Sequence, residues 1–169
     1  YNPLWERLSA LVPVEQASAF LYFIPGSGWR ELIHRFKYDG AWRLARDMGV
    51  WYGHCLADSG LYDTVDRIVP VPLHWRKRLR RGYNQAEVFA EKLAEEMELP
   101  MNARLIRRVK KTKRQKELGP AERRKNLEGA FALAKPGQMK YCRILLVDDI
   151  FTTGTTCNEC AKELYRAGA

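Results

Sequence analysis

The 169 residues are 46% apolar and 29% charged, enough to bury a core in roughly one domain of ordinary size. That composition excludes disorder along the whole chain. The longest apolar run, residues 17–24 with Ser18 inside it, is far shorter than the ~20 residues of a membrane-crossing helix, so no membrane insertion is expected.

The net charge of +9 is concentrated rather than spread. Residues 76–81 (RKRLRR) hold five basic residues and no acid, and residues 104–125 hold eleven basic residues and two acids. The rest of the chain is net acidic by five. Focused charge of this kind attracts polyanions, either nucleic acid or a small ligand with several phosphates. A solvated basic face is the plain alternative. The chain opens on Tyr1 rather than Met, which leaves room for an upstream signal or domain.

In chain order, Trp29, Leu32, Ile33 and Phe36 fall at i, i+3, i+4 and i+7, which predicts an amphipathic helix closing near Gly40. Leu44, Met48, Trp51, Tyr52, Cys55 and Leu56 carry the helical period into a second helix. Arg67–Pro72 (RIVPVP) reads as a short strand that its prolines end abruptly. Ala86, Phe89, Leu93 and Met97 predict a third helix after Asn84. Leu105–Val109 and Ala130–Leu133 are expected short strands around a polar stretch. Arg143–Val147 (RILLV) is a continuous apolar run, expected to be a strand buried on both faces, and Thr155–Ala167 follows as a helix. Alternating strands and helices predict an α/β domain with a mostly parallel sheet. Cys157 and Cys160 form a C-x-x-C on the last helix. With no second pair for a zinc site, small buried residues are the expectation, with a reduced, cytoplasmic protein.

In such sheets ligands bind beyond the carboxyl ends of the strands. Two ends stand out here. After RILLV comes Asp148-Asp149-Ile150-Phe151-Thr152-Thr153-Gly154-Thr155-Thr156. Adjacent carboxylates at a strand end can accept hydrogen bonds from the vicinal hydroxyls of a ribose. A Thr/Gly loop entering a helix offers hydroxyls, unpaired backbone N–H groups and a favourable dipole to a phosphate, and Gly154 allows close backbone approach. Ordinary helix capping needs only one or two such residues. No G-K-[ST] follows, so the loop is not a Walker A sequence.

The segment LLVDDIFTTGTT resembles the phosphoribosyl pyrophosphate (PRPP) motif of type I phosphoribosyltransferases. Phe36-Lys37-Tyr38, Val69-Pro70-Val71-Pro72-Leu73, Arg81-Gly82-Tyr83-Asn84-Gln85, Arg124-x-Asn126 and Gly129-Ala130-Phe131 further resemble the ComF family of competence-associated proteins, in matches running from about residue 22 to the end. The resemblance implies a single type I phosphoribosyltransferase-like domain over residues 1–169, a parallel sheet with helices on both faces and a mobile hood, with residues 22–66 as the N-terminal helical hood part and 67–169 as the core. It implies that Asp148 and Asp149 hold the ribose hydroxyls and that Thr152, Thr153, Gly154, Thr155 and Thr156 cradle the 5′-phosphate. Leu73, His74, Trp75 and Arg76 would face the pyrophosphate, and Mg2+ would arrive with PRPP rather than on protein ligands alone. The reaction implied is transfer of ribose 5-phosphate, or PRPP binding retained for regulation. ComF-like chains also carry an N-terminal four-cysteine zinc module and continue past the final Ala-Gly-Ala into a further strand. This chain is therefore expected to be a fragment, with zinc confined to the missing module.

Departing pyrophosphate needs charge neutralisation and a closed site. Arg76, Lys113 and Arg114, with Lys110, Lys111 and Lys116, are the candidates to meet it, while Arg123 and Arg124 anchor the end of the basic segment. The alternative gives the same charge to single-stranded DNA and to competence partners: Arg78, Arg80, Arg81, Lys110, Lys111, Lys113, Arg114 and Lys116 would track phosphates. Trp42, Trp75 and Tyr83 are expected in the core, with base stacking as their alternative role.

Overall fold

The computed structural model describes residues 2–22, 42–110, 120–134 and 139–169. The expected helix at Trp29–Phe36, the Phe36-Lys37-Tyr38 match, and Lys111, Lys113, Arg114 and Lys116 lie outside the described residues, as do the side chains of Arg123 and Arg124.

The described elements are, in order, α1 (Pro3–Ser9), α2 (Trp42–Ser59), β1 (Arg67–Pro70), α3 (Trp75–Arg81), α4 (Gln85–Glu96), β2 (Ile106–Arg108), α5 (Pro120–Leu127), β3 (Phe131–Leu133), β4 (Ile144–Val147) and α6 (Thr155–Arg166). β1 and β4 pair in parallel, Arg67 opposite Ile144 and Pro70 opposite Val147. On its other edge β1 bridges the segment after α4: Ile68 N–H donates to Pro100 O at 3.0 Å and Asn102 N–H to Ile68 O at 2.9 Å. β2 and β3 form a separate antiparallel pair, with Arg108 opposite Phe131. The result is a mixed helix–strand architecture around a small parallel sheet, compatible with the α/β expectation.

Two buried clusters flank the parallel strands. Val69, Val71, Ile106, Leu127, Phe131, Cys160 and Leu164 join β1 to the β2–β3 pair and α6. Leu56, Ile68, Ala90, Leu93 and Val147 join the strands to α2 and α4.

The face that α2 buries differs from the expected one. Ala45, Gly49, Gly53 and Leu56 are buried, whereas Cys55 is exposed and Trp51 is 66% exposed. The reason is close approach: a Cβ on Gly49 would lie 2.6 Å from Phe89 O, and one on Gly53 would lie 2.6 Å from Glu96 Cβ. Small residues four apart let the two helices touch backbone to side chain, and a hydrophobic period does not register them.

Two further expectations are corrected, and one helix stands where none was predicted. Ile144, Leu145 and Leu146 are only half-buried, so β4 is not covered on both faces. It bonds to β1 on one edge, and its residues help line an open cavity of about 920 Å³ with Leu8, Val12, Met48, Tyr52 and Phe151. The run 75–81, which carries no predicted element, is a helix, closed by Gly82 at φ +82, whose N–H donates to Arg78 O at 2.8 Å. Trp75 and Trp42 are exposed (60% and 43%) rather than core residues, and Tyr83 is half-buried.

The N-terminal segment, in which Asn2 caps α1 by accepting from Trp5 N–H, packs across α2 and α6. Phe20 meets the Trp51 and Tyr52 rings at 5.3 and 5.1 Å, Tyr62 bonds Ser18 at 2.7 Å, and the Tyr165 hydroxyl donates to Pro13 O. Among the described residues no helix is long and apolar enough to cross a membrane.

Candidate functional site

Parallel pairing brings the two singled-out strand ends side by side. The ladder runs past β1, because Val71 N–H donates to Val147 O at 2.8 Å. The chain leaves Val71 toward Leu73–Arg76 and leaves Val147 toward Asp148–Thr156 on the same edge of the sheet.

The exit of β1 is braced from behind. Asn84 is buried and its Nδ2 donates to Val71 O at 3.1 Å, so the residue that opens α4 also fixes the end of β1. Gln85 is almost wholly buried, and its Oε1 accepts from Arg81 Nη1 at 3.2 Å. His74 is buried and caps α3, its Nδ1 accepting from Arg76 N–H at 3.3 Å. Trp75 stacks beside His74, and the Arg76 guanidinium lies 5.0 Å over the Trp75 ring. Leu73 is half-buried and Arg76 exposed.

At the exit of β4, Asp148 is half-buried and Asp149 exposed. Asp148 Oδ1 accepts the Asp149 N–H at 2.9 Å, and its Oδ2 accepts from the Cys157 thiol at 3.8 Å. Burial, reinforced by the neighbouring Asp148 carboxylate, pushes the Cys157 thiol well above its ordinary pKa, so it is a neutral donor. Gly154 begins α6 with φ +74 and no capping side chain, and Asn158 N–H donates to its carbonyl at 2.8 Å. The hydroxyls of Thr153 and Thr155 share a hydrogen bond at 2.9 Å. Thr155 is buried, Thr153 and Thr156 are half-buried and Thr152 is exposed. A carboxylate pair beside an uncapped, hydroxyl-lined helix start can accept hydrogen bonds from a diol and donate them to an anion.

The basic residues divide. Arg78 and Arg80 are exposed, but Arg78 pairs with Glu87 at 2.9 Å, so its charge is already met within the protein. Arg81 is half-buried against Gln85. Lys110 is exposed and donates to Glu128 O at 3.1 Å, beside the β2–β3 pair. Among the described residues no three His, Cys, Asp or Glu side chains cluster as a metal site.

Two further residues stand outside the set of site residues expected from the sequence. Burial lowers the pKa of Arg108, and electrostatic interaction with Cys160 and then Asp148 opposes the shift. The signal that exposes Arg108 is strand alternation, since Ile106 is buried, Arg107 exposed and Arg108 half-buried. Cys157, expected as a packing residue, also donates to the first acid of the pair.

The chain is 36% identical over 141 residues to Competence protein F of Haemophilus influenzae, covering 81% of this chain and 62% of that protein. It is 34% identical over 142 residues to DNA utilization protein YhgH of Escherichia coli K12, covering 82% of this chain and 61% of that protein. It is 29% identical over 158 residues to Competence protein ComFC of Streptococcus pneumoniae, covering 94% of this chain and 65% of that protein. The matched stretch thus spans about three fifths of the length of these curated relatives. No family model matches the chain, and no solved structure matches it. Ordered motif blocks and extended identity agree, and the chain belongs to the ComF family.

Proposed function

We propose that this chain is a phosphoribosyltransferase-like α/β domain that binds PRPP with Mg2+ at the carboxyl ends of β1 and β4, in a cytoplasmic protein that serves DNA uptake. The observation that carries the reading is the shared exit edge: Pro70 pairs with Val147, so Leu73–Arg76 and Asp148–Thr156 leave the sheet as neighbours. A ligand with phosphate at one end, a ribose diol in the middle and pyrophosphate at the other suits two such loops. In this reading Asp148 and Asp149 accept the ribose hydroxyls. Thr152–Thr156 and the start of α6 receive the 5′-phosphate, and Leu73–Arg76 meets the pyrophosphate. In this reading the magnesium ion arrives with PRPP and would neutralise charge on departing pyrophosphate, while Asp148, engaged by the Asp149 N–H and the Cys157 thiol, would face the ribose. The names of the relatives, which speak of competence and DNA utilization, support the process.

Calorimetric titration of PRPP with and without magnesium tests the reading. Magnesium-dependent binding is expected, lost in Asp148→Ala/Asp149→Ala without loss of fold. Unchanged affinity in that variant, or no binding by a folded wild type, sinks the assignment.

A second reading rests on α3, whose first residues Trp75 and Arg76 it shares with the first reading. Trp75 and Leu79 are exposed on α3 among Arg76, Arg78 and Arg80, a basic aromatic helix suited to single-stranded DNA. Binding through phosphates weakens steeply with salt. Affinity for single strands that stays constant from low to high salt counts against it.

A further inference from the structure

Asn84 stands where α4 begins, yet its side chain does not serve that helix. An N-cap residue works through an acceptor oxygen that takes a backbone N–H of the first turn, and Asn, Asp and Ser do this about equally well. Asn84 makes no such bond. It uses its nitrogen instead: Nδ2 donates to Val71 O at 3.1 Å, in a buried bond that joins residues 13 apart. A carbonyl oxygen only accepts, so an amide donor is what this position supplies. Val71 is thereby held at both of its peptide groups, its N–H by Val147 O at 2.8 Å and its C=O by Asn84. From there the chain leaves the sheet toward Leu73–Arg76.

The excursion that begins at Val71 returns onto the same turn of α4. Arg78 pairs with Glu87 at 2.9 Å, and Arg81 Nη1 donates to Gln85 Oε1 at 3.2 Å. Gln85 is 1% exposed, so that end is anchored in the interior, whereas the Arg78–Glu87 pair lies at the surface and adds little. The first turn of α4 thus grips the excursion at its start, middle and end, and Asn84 holds the end nearest the strand exits. We propose that Asn84 is a positioning residue that fixes the exit of β1 in the free protein, so that Leu73–Arg76 stands ready for pyrophosphate and PRPP is preferred over a sugar phosphate that lacks it. This rests on the sugar-phosphate reading above. A loop ordered in advance spares the ligand the cost of ordering it, and without the Asn84 bond that cost is drawn from the pyrophosphate contacts. Asp148–Thr156 leaves the other strand, so ribose and 5′-phosphate bound there do not draw on this bond.

The test compares PRPP with ribose 5-phosphate, both with magnesium, on the full chain and on its Asn84→Asp and Asn84→Ser variants. Titration followed in nitrogen–proton correlation spectra reads weak and tight binding alike and shows that each variant is folded. Both substitutions leave α4 a good N-cap, so a residue that mattered only to its helix would tolerate them. Both withdraw the amide donor, and Asn84→Asp also sets an acceptor against Val71 O. Asn84→Asp is expected to bind PRPP about tenfold more weakly, the scale of a buried hydrogen bond left unmade, with ribose 5-phosphate unchanged within about twofold. Asn84→Ser should shift the same ratio in the same direction, and it carries the comparison if Asn84→Asp does not fold. Two ligands that weaken alike would show a residue that supports the fold rather than the pyrophosphate end, and PRPP affinity unchanged in a folded variant would show a brace that binding does not use. Either result overturns the proposal. A wild type that fails to bind either compound removes the sugar-phosphate reading itself, and that failure is told apart because it is seen before any substitution.

Discussion

Gly154 joins β4's acidic exit to α6, and replacing it separates two physical terms. Its φ of +74° costs an L-residue about 1–2 kcal/mol. A Cβ there would also lie 2.8 Å from Leu11 Cδ1 and 3.0 and 3.1 Å from the Phe151 ring. The leucine terminus can rotate away. The ring is less free, and overpacking of this kind adds about 1 kcal/mol at the low end of its range. Gly154→Ala is therefore expected to destabilise by roughly 2–3 kcal/mol in total. Gly129 supplies the control: its φ is +62° and nothing lies within 4 Å of where an alanine methyl would sit, so Gly129→Ala carries the backbone term alone. Urea denaturation followed by tryptophan fluorescence reads both, with the slope checked for constancy. The folded fraction of Gly154→Ala should also bind PRPP more weakly, since the start of α6 shifts with it. A Gly154→Ala protein no less stable than Gly129→Ala would refute the packing argument. One within about 0.5 kcal/mol of wild type would refute both terms.

Gly49→Ala pits two effects of opposite sign. An alanine in a helix interior normally gains about 1 kcal/mol over glycine, but this methyl would meet Phe89 O at 2.6 Å and Lys92 Cβ at 2.9 Å. Net destabilisation is expected by urea denaturation, and a stabilised variant would show that α2 and α4 do not pack this closely. Alkylation of the native protein followed by mass spectrometry should modify exposed Cys55 first and leave Cys157 and Cys160 protected, because burial holds both thiols neutral. Since their folded pKa values are raised, the stability they contribute is complete below the unfolded thiol value of about 8.5 and is lost as pH rises above it. A urea midpoint that does not fall between neutral and alkaline pH contradicts that burial.

How much of this is legible in the sequence depends on how local each signal is. β1, α4, β4 and α6 follow from periodicity, apolar runs and prolines within a dozen residues, and they stand where expected. The Asp148–Thr156 loop is contiguous, so its chemistry is readable before any strand is paired. α3 escapes because RKRLRR holds a single apolar residue and so no amphipathic period. The buried face of α2 escapes because glycine carries no hydrophobic signal, although only glycine permits the approach to Phe89. The half-buried state of β4 escapes because an apolar run does not reveal how many of its edges are paired. Asn84 acts on Val71 O through a pairing that no local pattern announces.

The two functional readings make different demands on α3, and this separates them. A sugar phosphate held at the strand ends has no need of the outer turn of that helix, where Leu79 is 79% exposed and Arg80 faces solvent. A DNA strand long enough to use Trp75 must run on past it. Stacking of one base on an aromatic side chain is worth about 1–3 kcal/mol, so Trp75→Ala should weaken single-stranded DNA by roughly fivefold to a hundredfold. Arg80→Ala should lower the slope of log affinity against log salt by about 0.7, the loss of one phosphate contact on a single strand. Arg78→Ala should do less, because Glu87 already answers its charge at 2.9 Å. PRPP affinity should not respond to Arg80→Ala. A salt slope untouched by Arg80→Ala, together with DNA affinity untouched by Trp75→Ala, would strip α3 of a nucleic-acid role and leave its charge as a solvated face. A PRPP affinity that falls with Arg80→Ala would instead draw the outer turn of α3 into the sugar-phosphate site, and the separation of the two surfaces would fail.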